Sequence, residues 1–356
     1  MDKPRSAAPS SHPAGTDRKP PTIRDVARRA GVGVATVSRV LNSNGYVSNA
    51  TRQKVLRAVE ELNYQPNNLA RSLATGRSRL IALVIPDITN PFFPTIARGV
   101  EDAASTMGYT VVLCNTDGDT AQEMAYVKTL RERRVDGIIF TVSSCDSTAV
   151  WELLRGHFPL ALIDRQVEGA RVDAVLVDNV ASAREATRHL IRLGHRRIAH
   201  ISGPPQLTTS RDRLRGYLEA LGEAGLEANE TLIRAGDFRY PSGYARMKEL
   251  LEAPDPPTAV FAANDLMAIG AIRALEESGR RVPDDVAVVG FDDILLASLV
   301  RPALTTVSQP AYQMGVTATE LLIRRMYGRV TGPPQEVFLT PQLVIRESCG
   351  GKEHTG

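Results

Sequence analysis

The sequence is poor in cysteine and in long apolar runs, and each shortage excludes something. Its three cysteines, Cys114, Cys145 and Cys349, are odd in number, far apart and never in a CxxC pair. Neither a disulfide framework nor a zinc ribbon follows from them, which leaves small buried thiols in a reducing compartment. No stretch approaches the roughly 18 uncharged residues that cross a bilayer. The opening MDKPRSAAPSSHPAGTDRKPP lacks the hydrophobic region of a secretory signal, so a cytoplasmic protein without a membrane partner is expected. The six histidines show no HExxH or other ligand spacing, and neither a metal nor another cofactor is expected. No GxGxxG opens a helix after a strand, and GxxxxGK[ST] and GxSxG are missing, so the chain is not expected to be an enzyme.

Charge is present but unevenly placed. Residues 1–77 hold 13 Lys+Arg against 5 Asp+Glu, a net of +8, and with a whole-chain charge of +3 residues 78–356 carry −5. A basic end on a mildly acidic body suggests a polyanion-binding module joined to something else.

The basic end reads as three short helices. Thr22-Ile23-Arg24-Asp25 fits a capping box, after which Val26, Ala27 and Ala30 share one face and Gly31 supplies the left-handed stop. A second helix covers about Val34–Leu41 with Val37, Val40 and Leu41 inward. Ser48 caps a third, about Asn49–Leu62, whose Val55, Leu56, Val59 and Leu62 should complete a small core. Helix, glycine turn and helix make a helix-turn-helix, whose second helix enters the major groove. Pro66 then breaks the pattern, and Asn68–Ala74 is a helical stretch too short to hold itself.

From Leu80 onward apolar strands (LIALVIP, YTVVLCN, GIIFTV, LALID, AVLVD, RIAHIS, TAVFAA, VAVVGF) alternate with amphipathic helices. Such strands with helical crossovers mean parallel sheets covered on both faces, and the series is long enough for two subdomains. The fold class expected is α/β: a three-helix head, then two parallel-sheet subdomains.

At this point the residues resemble a known family. TIRDVARRAGVGVATVSRVLN, followed by YVS, LNYQPN and LARSLATGRS, resembles the head and hinge of the lactose/galactose repressor family of bacterial transcription regulators. The likeness continues in order through IPDITNPFF, LIDR, LVDN, RLRGY, FAANDLMAIGAI, GFDD and ALTTVSQP, from about Pro20 to Arg346. It implies a body of periplasmic-binding-protein type with a ligand in its cleft, and a homodimer on double-stranded palindromic operator DNA. The domains implied are a disordered tail 1–20, a head 21–66, a hinge 67–77, a body 78–346 and a flexible tail 347–356. Within the body, one subdomain takes about 78–179 and 309–340, the other about 180–308 and 341–346.

Carried over residue by residue, the resemblance places Val34, Ala35 and Arg39 against base edges. An arginine can fork onto guanine O6 and N7, and small apolar side chains suit thymine methyls. Thr36, Ser38, Asn42 and Tyr46 match backbone contacts, and Gly33 departs from the usual serine. In the hinge, Asn67, Ala70 and Leu73 match DNA-contacting positions, with Leu73 as a wedge in the minor groove.

Ligands in parallel sheets sit beyond the carboxyl ends of strands. Phe92, Phe93, Asp164, Arg165, Asn264 and Asp292 fall there, and Arg213, Phe238 and Gln309 match further cleft positions. Carboxylates and amides can clamp hydroxyls while rings cover C–H faces, so a sugar effector is expected. A purine or a phosphorylated carrier protein as corepressor is the alternative, and for a purine an aromatic residue is expected where Arg165 stands. Asp265 reads as a helix cap, Asp293 as solvent-facing or capping a turn, and Asp178-Asn179 as part of a crossover.

Overall fold

A computed structural model describes residues 21–41, 45–64 and 76–351. The proposed contact residues Asn42, Asn67, Ala70 and Leu73 lie outside them. The chain divides into two units, residues 1–76 and 77–356.

In the first unit the capping box forms: the Asp25 carboxylate accepts from the Thr22 backbone N–H at 2.9 Å and from its hydroxyl at 2.7 Å. That fixes the start of α1 (Ile23–Ala30), which ends at Gly31 in the left-handed region with φ 67°. Next come α2 (Val34–Leu41) and α3 (Asn49–Glu61), the latter capped by Ser48. Val26, Ala27, Val37, Val40, Val55 and Ala58 form the core, and an Arg29–Glu61 ion pair at 2.5 Å ties α1 to α3. Leu56, expected inside, is 44% exposed. Its neighbours Val55, Ala58, Val59 and Leu62 already fill the i, i+3, i+4, i+7 face, and Leu56 is turned about 100° away from it.

The second unit alternates strand and helix. Its first part runs β1 (Leu80–Ile85), α4 (Phe92–Thr106), β2 (Thr110–Asn115), α5 (Thr120–Glu132), β3 (Gly137–Phe140), α6 (Thr148–Arg155), β4 (Leu160–Ile163) and β5 (Asp173–Val177). The second continues with α7 (Asn179–Arg192), β6 (Ile198–Ser202), α8 (Thr208–Glu223), β7 (Ile233–Ala235), α9 (Tyr240–Leu251), β8 (Ala259–Ala262) and α10 (Asp265–Glu277). It closes with β9 (Ala287–Asp292), α11 (Leu295–Leu299), β10 (Thr305–Ser308), α12 (Ala311–Met326), β11 (Glu336–Leu339) and β12 (Gln342–Val344).

Two six-stranded sheets result, ordered β11-β5-β4-β3-β1-β2 and β12-β10-β9-β8-β6-β7. Every pairing is parallel except β10–β12, an antiparallel edge on the second sheet. Strands such as β3, β4 and β8 are buried along their whole length because helices cover both faces, as parallel sheets require. The chain passes between the sheets three times, after Val177, after Ser308 and after Leu339. These crossings gather the carboxyl ends of both sheets around one cleft.

Residues 347–351 differ from the flexible tail expected after Arg346. Glu347–Cys349 form a single 3-10 turn with Ser348 and Cys349 buried. The Ser348 hydroxyl donates to the Val288 carbonyl at 2.6 Å and accepts from the Thr305 N–H at 2.8 Å. Two hydrogen bonds to buried backbone groups offset the entropy of ordering so short a segment.

Candidate functional site

The head offers a surface built from the spacing of α2. Val37 and Val40 turn into the core, which leaves Val34, Ala35 and Arg39 exposed and Thr36 and Ser38 half-buried. Val34 is 42% exposed and Tyr46 93% exposed. The exposed face carries one long cation flanked by small apolar groups, the chemistry that reads major-groove edges.

The second site is the cleft. Asp164 follows β4 and Asp292 ends β9, both buried, with φ of 68° and 116°; Phe238 after β7 also has φ 68°. Left-handed backbone at non-glycine residues costs on the order of 1–3 kcal/mol and persists where surrounding structure holds it. Asn264 helps to hold it: its Nδ2 donates to the Phe238 carbonyl at 2.8 Å while its Oδ1 accepts from Met267 N–H at 3.0 Å. Asn264 is thus the cap of α10 and a support for Phe238. Asp265, expected to be that cap, is instead fully buried, accepting from Ile294 N–H at 2.9 Å and the Thr306 hydroxyl at 2.5 Å.

Two guanidiniums sit at the centre. Arg213 donates from Nε to Asn179 Oδ1 at 2.8 Å and from Nη1 to the Ala263 carbonyl at 2.6 Å, and lies 3.7 Å from Asp292 Oδ1. Its guanidinium stacks 3.7 Å from the centre of the Phe291 ring. Arg165 donates to the Val142 carbonyl at 2.8 Å and faces Asp164 at 3.5 Å. It also lies 5.8 Å from the Phe93 ring centre and 5.9 Å from that of Phe238. Gln309, at the second crossing, donates from Nε2 to Asp292 Oδ1 at 2.8 Å.

Burial sets the electrostatics. It pushes the Asp292 carboxyl up to about 7 against the pull of Arg213, and raises Asp164 against the pull of Arg165. The same burial lowers both arginines, and their carboxylate partners offset part of the shift. Three atoms of this network are buried without a hydrogen-bond partner: Asp164 Oδ1, Arg165 Nε and Gln309 Oε1. A buried acceptor left so costs roughly 1–3 kcal/mol, while Arg165 Nε still faces Asp164 Oδ2 at 3.5 Å.

Above the network lies a cavity of about 230 Å³. Of the residues expected to bind ligand, Phe93, Arg165 and Phe238 line it. Asp164, Arg213, Asp292 and Gln309 form the layer joined to it through Arg165 and Phe238. Phe92 does not line it; it packs in the core, edge-on to Phe93 at 5.3 Å.

Several participants escaped the sequence reading. Asn179 serves Arg213 rather than the crossover alone. Asp293 pairs with Arg346 at 2.6 Å instead of facing solvent. Glu123 is fully buried, accepting from Ser143 N–H at 2.5 Å and the Ser147 hydroxyl at 3.0 Å, and so fixes a loop whose Ser143 lines the cavity. Its place on the inward face of α5 with Val127 and Leu130 was a signal in the sequence: a carboxylate at an apolar position. Nothing in the sequence signalled the Asp87–Arg239 ion pair, 3.3 Å long, which links the two subdomains across the mouth. Among the described residues no cluster could hold a metal ion, and no helix is long and apolar enough to cross a membrane.

Comparison with known proteins gives consistent results. Residues 22–67 match the family described as bacterial regulatory proteins, lacI family, and residues 187–349 match a periplasmic binding protein-like domain. The chain is 43% identical over 337 residues to a ribose operon repressor of Halalkalibacterium halodurans, covering 94% of this chain and 98% of that protein. Among solved structures it is similar to a transcriptional regulator CelR–cellobiose complex, with a TM-score of 0.72, 41% identity, and 92% and 99% of the two chains covered. It is also similar to a lac repressor dimer bound to operator and the anti-inducer ONPF, with a TM-score of 0.84, 32% identity, and 93% and 99% covered.

Proposed function

The chain belongs to the lacI family of bacterial regulatory proteins, and on that premise we propose that it is a repressor whose hold on a palindromic operator is set by a sugar in the cleft of its body. It is a DNA-binding transcription regulator that acts as a dimer, one head for each half of a two-fold site. In this reading the head, about residues 21–66, reads DNA; 67–77 is the hinge, and the body from 78 to 346 senses the effector. Arg39 forks onto a guanine, Val34 and Ala35 meet thymine methyls, and Thr36, Ser38, Asn42 and Tyr46 hold the sugar-phosphate backbone. Asn67, Ala70 and Leu73 serve the hinge, with Leu73 in the minor groove. No catalytic step is assigned to any residue, and action on chromosomal DNA places the protein in the cytoplasm.

The observation that carries the effector reading is the buried layer of Asp164, Arg165, Arg213, Asp292 and Gln309 beneath a cavity lined by Phe93, Arg165 and Phe238. Hydroxyls both donate and accept, so they suit a floor that holds carboxylates and guanidiniums alike, and the Phe93 and Phe238 rings can cover C–H faces. The ribose and cellobiose in the names of two similar proteins point to the same chemistry. The test is anisotropy of labelled operator DNA titrated with the full-length protein, with and without each of a panel of pentoses and hexoses. One sugar should shift the operator curve. If none shifts it and none raises the melting temperature, the sugar reading fails.

A further inference from the structure

We propose that the cleft selects an uncharged monosaccharide and rejects the phosphate ester of the same sugar. The proposal rests on the sugar reading above and adds the ligand's charge and size. Three independent features of the cleft lead to it.

The first is the polarity of what is missing. Two of the three unpartnered buried atoms, Asp164 Oδ1 and Gln309 Oε1, are acceptors and need a donor. Hydroxyls bring donors. Neither residue lines the cavity; they make the layer beneath it rich in acceptors, a poor floor for a phosphate dianion, which brings only acceptors.

The second is the placement of charge. In the deep layer each guanidinium already faces a carboxylate: Arg165 faces Asp164 at 3.5 Å and Arg213 faces Asp292 at 3.7 Å. Around the mouth the cavity is lined by Asp87, Asp117 and Asp237 against Arg239, and Arg239 is itself held by Asp87 at 3.3 Å. Asp117 accepts from Asn115 Nδ2 at 2.7 Å, and Asp237 accepts from the Arg239 backbone N–H at 2.9 Å. Neither of those contacts neutralises a carboxylate. A phosphate entering here must pass Asp117 and Asp237 and draw Arg165 or Arg239 from an existing carboxylate partner. Like charges at such range are costly where the dielectric is low. The start of α8 has no side-chain cap, and its free amides can donate to a hydroxyl oxygen as readily as to an anion.

The third is space. A cavity of about 230 Å³ falls below the roughly 300–1,000 Å³ of pockets for drug-sized ligands, which suits one sugar ring. A flat heterocycle is not favoured either, because the Arg165 guanidinium lies within 6 Å of both the Phe93 and Phe238 rings, at 5.8 and 5.9 Å, where a base would stack.

The experiment is isothermal titration of the full-length protein with D-ribose, D-xylose, D-glucose and D-fructose, each beside its own phosphate ester, and with hypoxanthine. One free sugar should bind, with its ester weaker by about tenfold or more. The double variant Asp117→Asn, Asp237→Asn should then move the ester-to-sugar affinity ratio toward the ester, because it removes the charge and keeps the shape. An ester that binds as tightly as its sugar, a ratio unmoved by the double variant, or tighter binding of hypoxanthine overturns the proposal. Silence from every sugar and every ester overturns the sugar reading itself, and the charge argument falls with it.

Discussion

Gln309 donates from its side-chain amide to Asp292 Oδ1 at 2.8 Å, and so joins the end of β9 to the crossing from which α12 departs. Both residues are buried, and the bond leaves Gln309 Oε1 unpartnered. Burial therefore holds the Asp292 carboxylate at a cost that Arg213 and Gln309 only partly offset.

That state predicts how stability responds to pH. Burial raises Asp292 to about 7 in the folded chain, against about 3.9 for an unfolded aspartate. With the folded value raised, Asp292 contributes stability that is fully present below the unfolded value and is lost as pH rises through the folded one. The ligand-free protein should lose melting temperature between about pH 4 and about pH 7, and Asp292→Asn should flatten that fall. Parallel melting curves for wild type and variant across the range would show that Asp292 does not govern it.

The DNA face predicts a different signature. Arg39 is exposed on α2 beside Val34 and Ala35. Arg39→Ala should cost about 1–3 kcal/mol of operator affinity and relax preference at one symmetric base pair. Binding to scrambled DNA should keep its steep salt dependence, which comes from phosphate contacts. An operator library bound by wild type and variant with the same base preferences would remove Arg39 from base reading.

What the sequence made legible follows from the range of the interactions involved. Local signals carried over directly: the Thr22–Asp25 capping box, Gly31 as a stop and Ser48 as a cap each depend on residues within four positions. Doubly buried strands have a one-dimensional signature, so the two sheets were legible as well. Asp164 and Asp292 stood out as charges near strand ends, and Arg213 by its match to a cleft position of the family. Their partners did not, because Asn179 reaches Arg213 and Asp87 reaches Arg239 only through tertiary folding. The assignment of the cap failed by one position: Asn264 adopts the extended cap conformation with φ −153°, which turns Asp265 inward. The antiparallel β12 had no signal, since a three-residue strand is too short for a pattern.

Packing of α4 against α12 gives a stability prediction. A Cβ on Gly99 would stand 2.1 Å from the Tyr312 carbonyl oxygen and 3.0 Å from its carbon. Backbone cannot yield as a flexible side chain does, so Gly99→Ala should destabilise by about 1–3 kcal/mol despite alanine's better helix propensity. Gly222 in α8 meets nothing within 4 Å, and Gly222→Ala should be neutral or stabilise by up to about 1 kcal/mol. Urea midpoints decide. Equal effects at the two positions would mean that the α4–α12 approach is looser than drawn.

The same α12 predicts how the cleft is heard at the hinge. It starts two residues after Gln309 and ends at Met326, a rod of roughly 24 Å at 1.5 Å per residue. At its far end Arg77, the last residue of the hinge, donates to the Met326 carbonyl at 3.3 Å and lies 3.8 Å from the Tyr327 ring centre. Ligand contact at Gln309 and Asp292 can therefore bear on the point where the chain leaves the body, through one rigid element. Tyr327→Leu keeps an apolar side chain but removes the aromatic face under Arg77. Sugar binding to the DNA-free protein should be nearly unchanged, while the factor by which sugar alters operator affinity falls toward unity. Because coupling is reciprocal, operator DNA must lose its effect on sugar affinity by the same factor. Titrations of both ligands, each with and without the other, measure the two factors independently. If Tyr327→Leu preserves both, α12 does not carry the coupling, and the signal must leave the cleft through other elements.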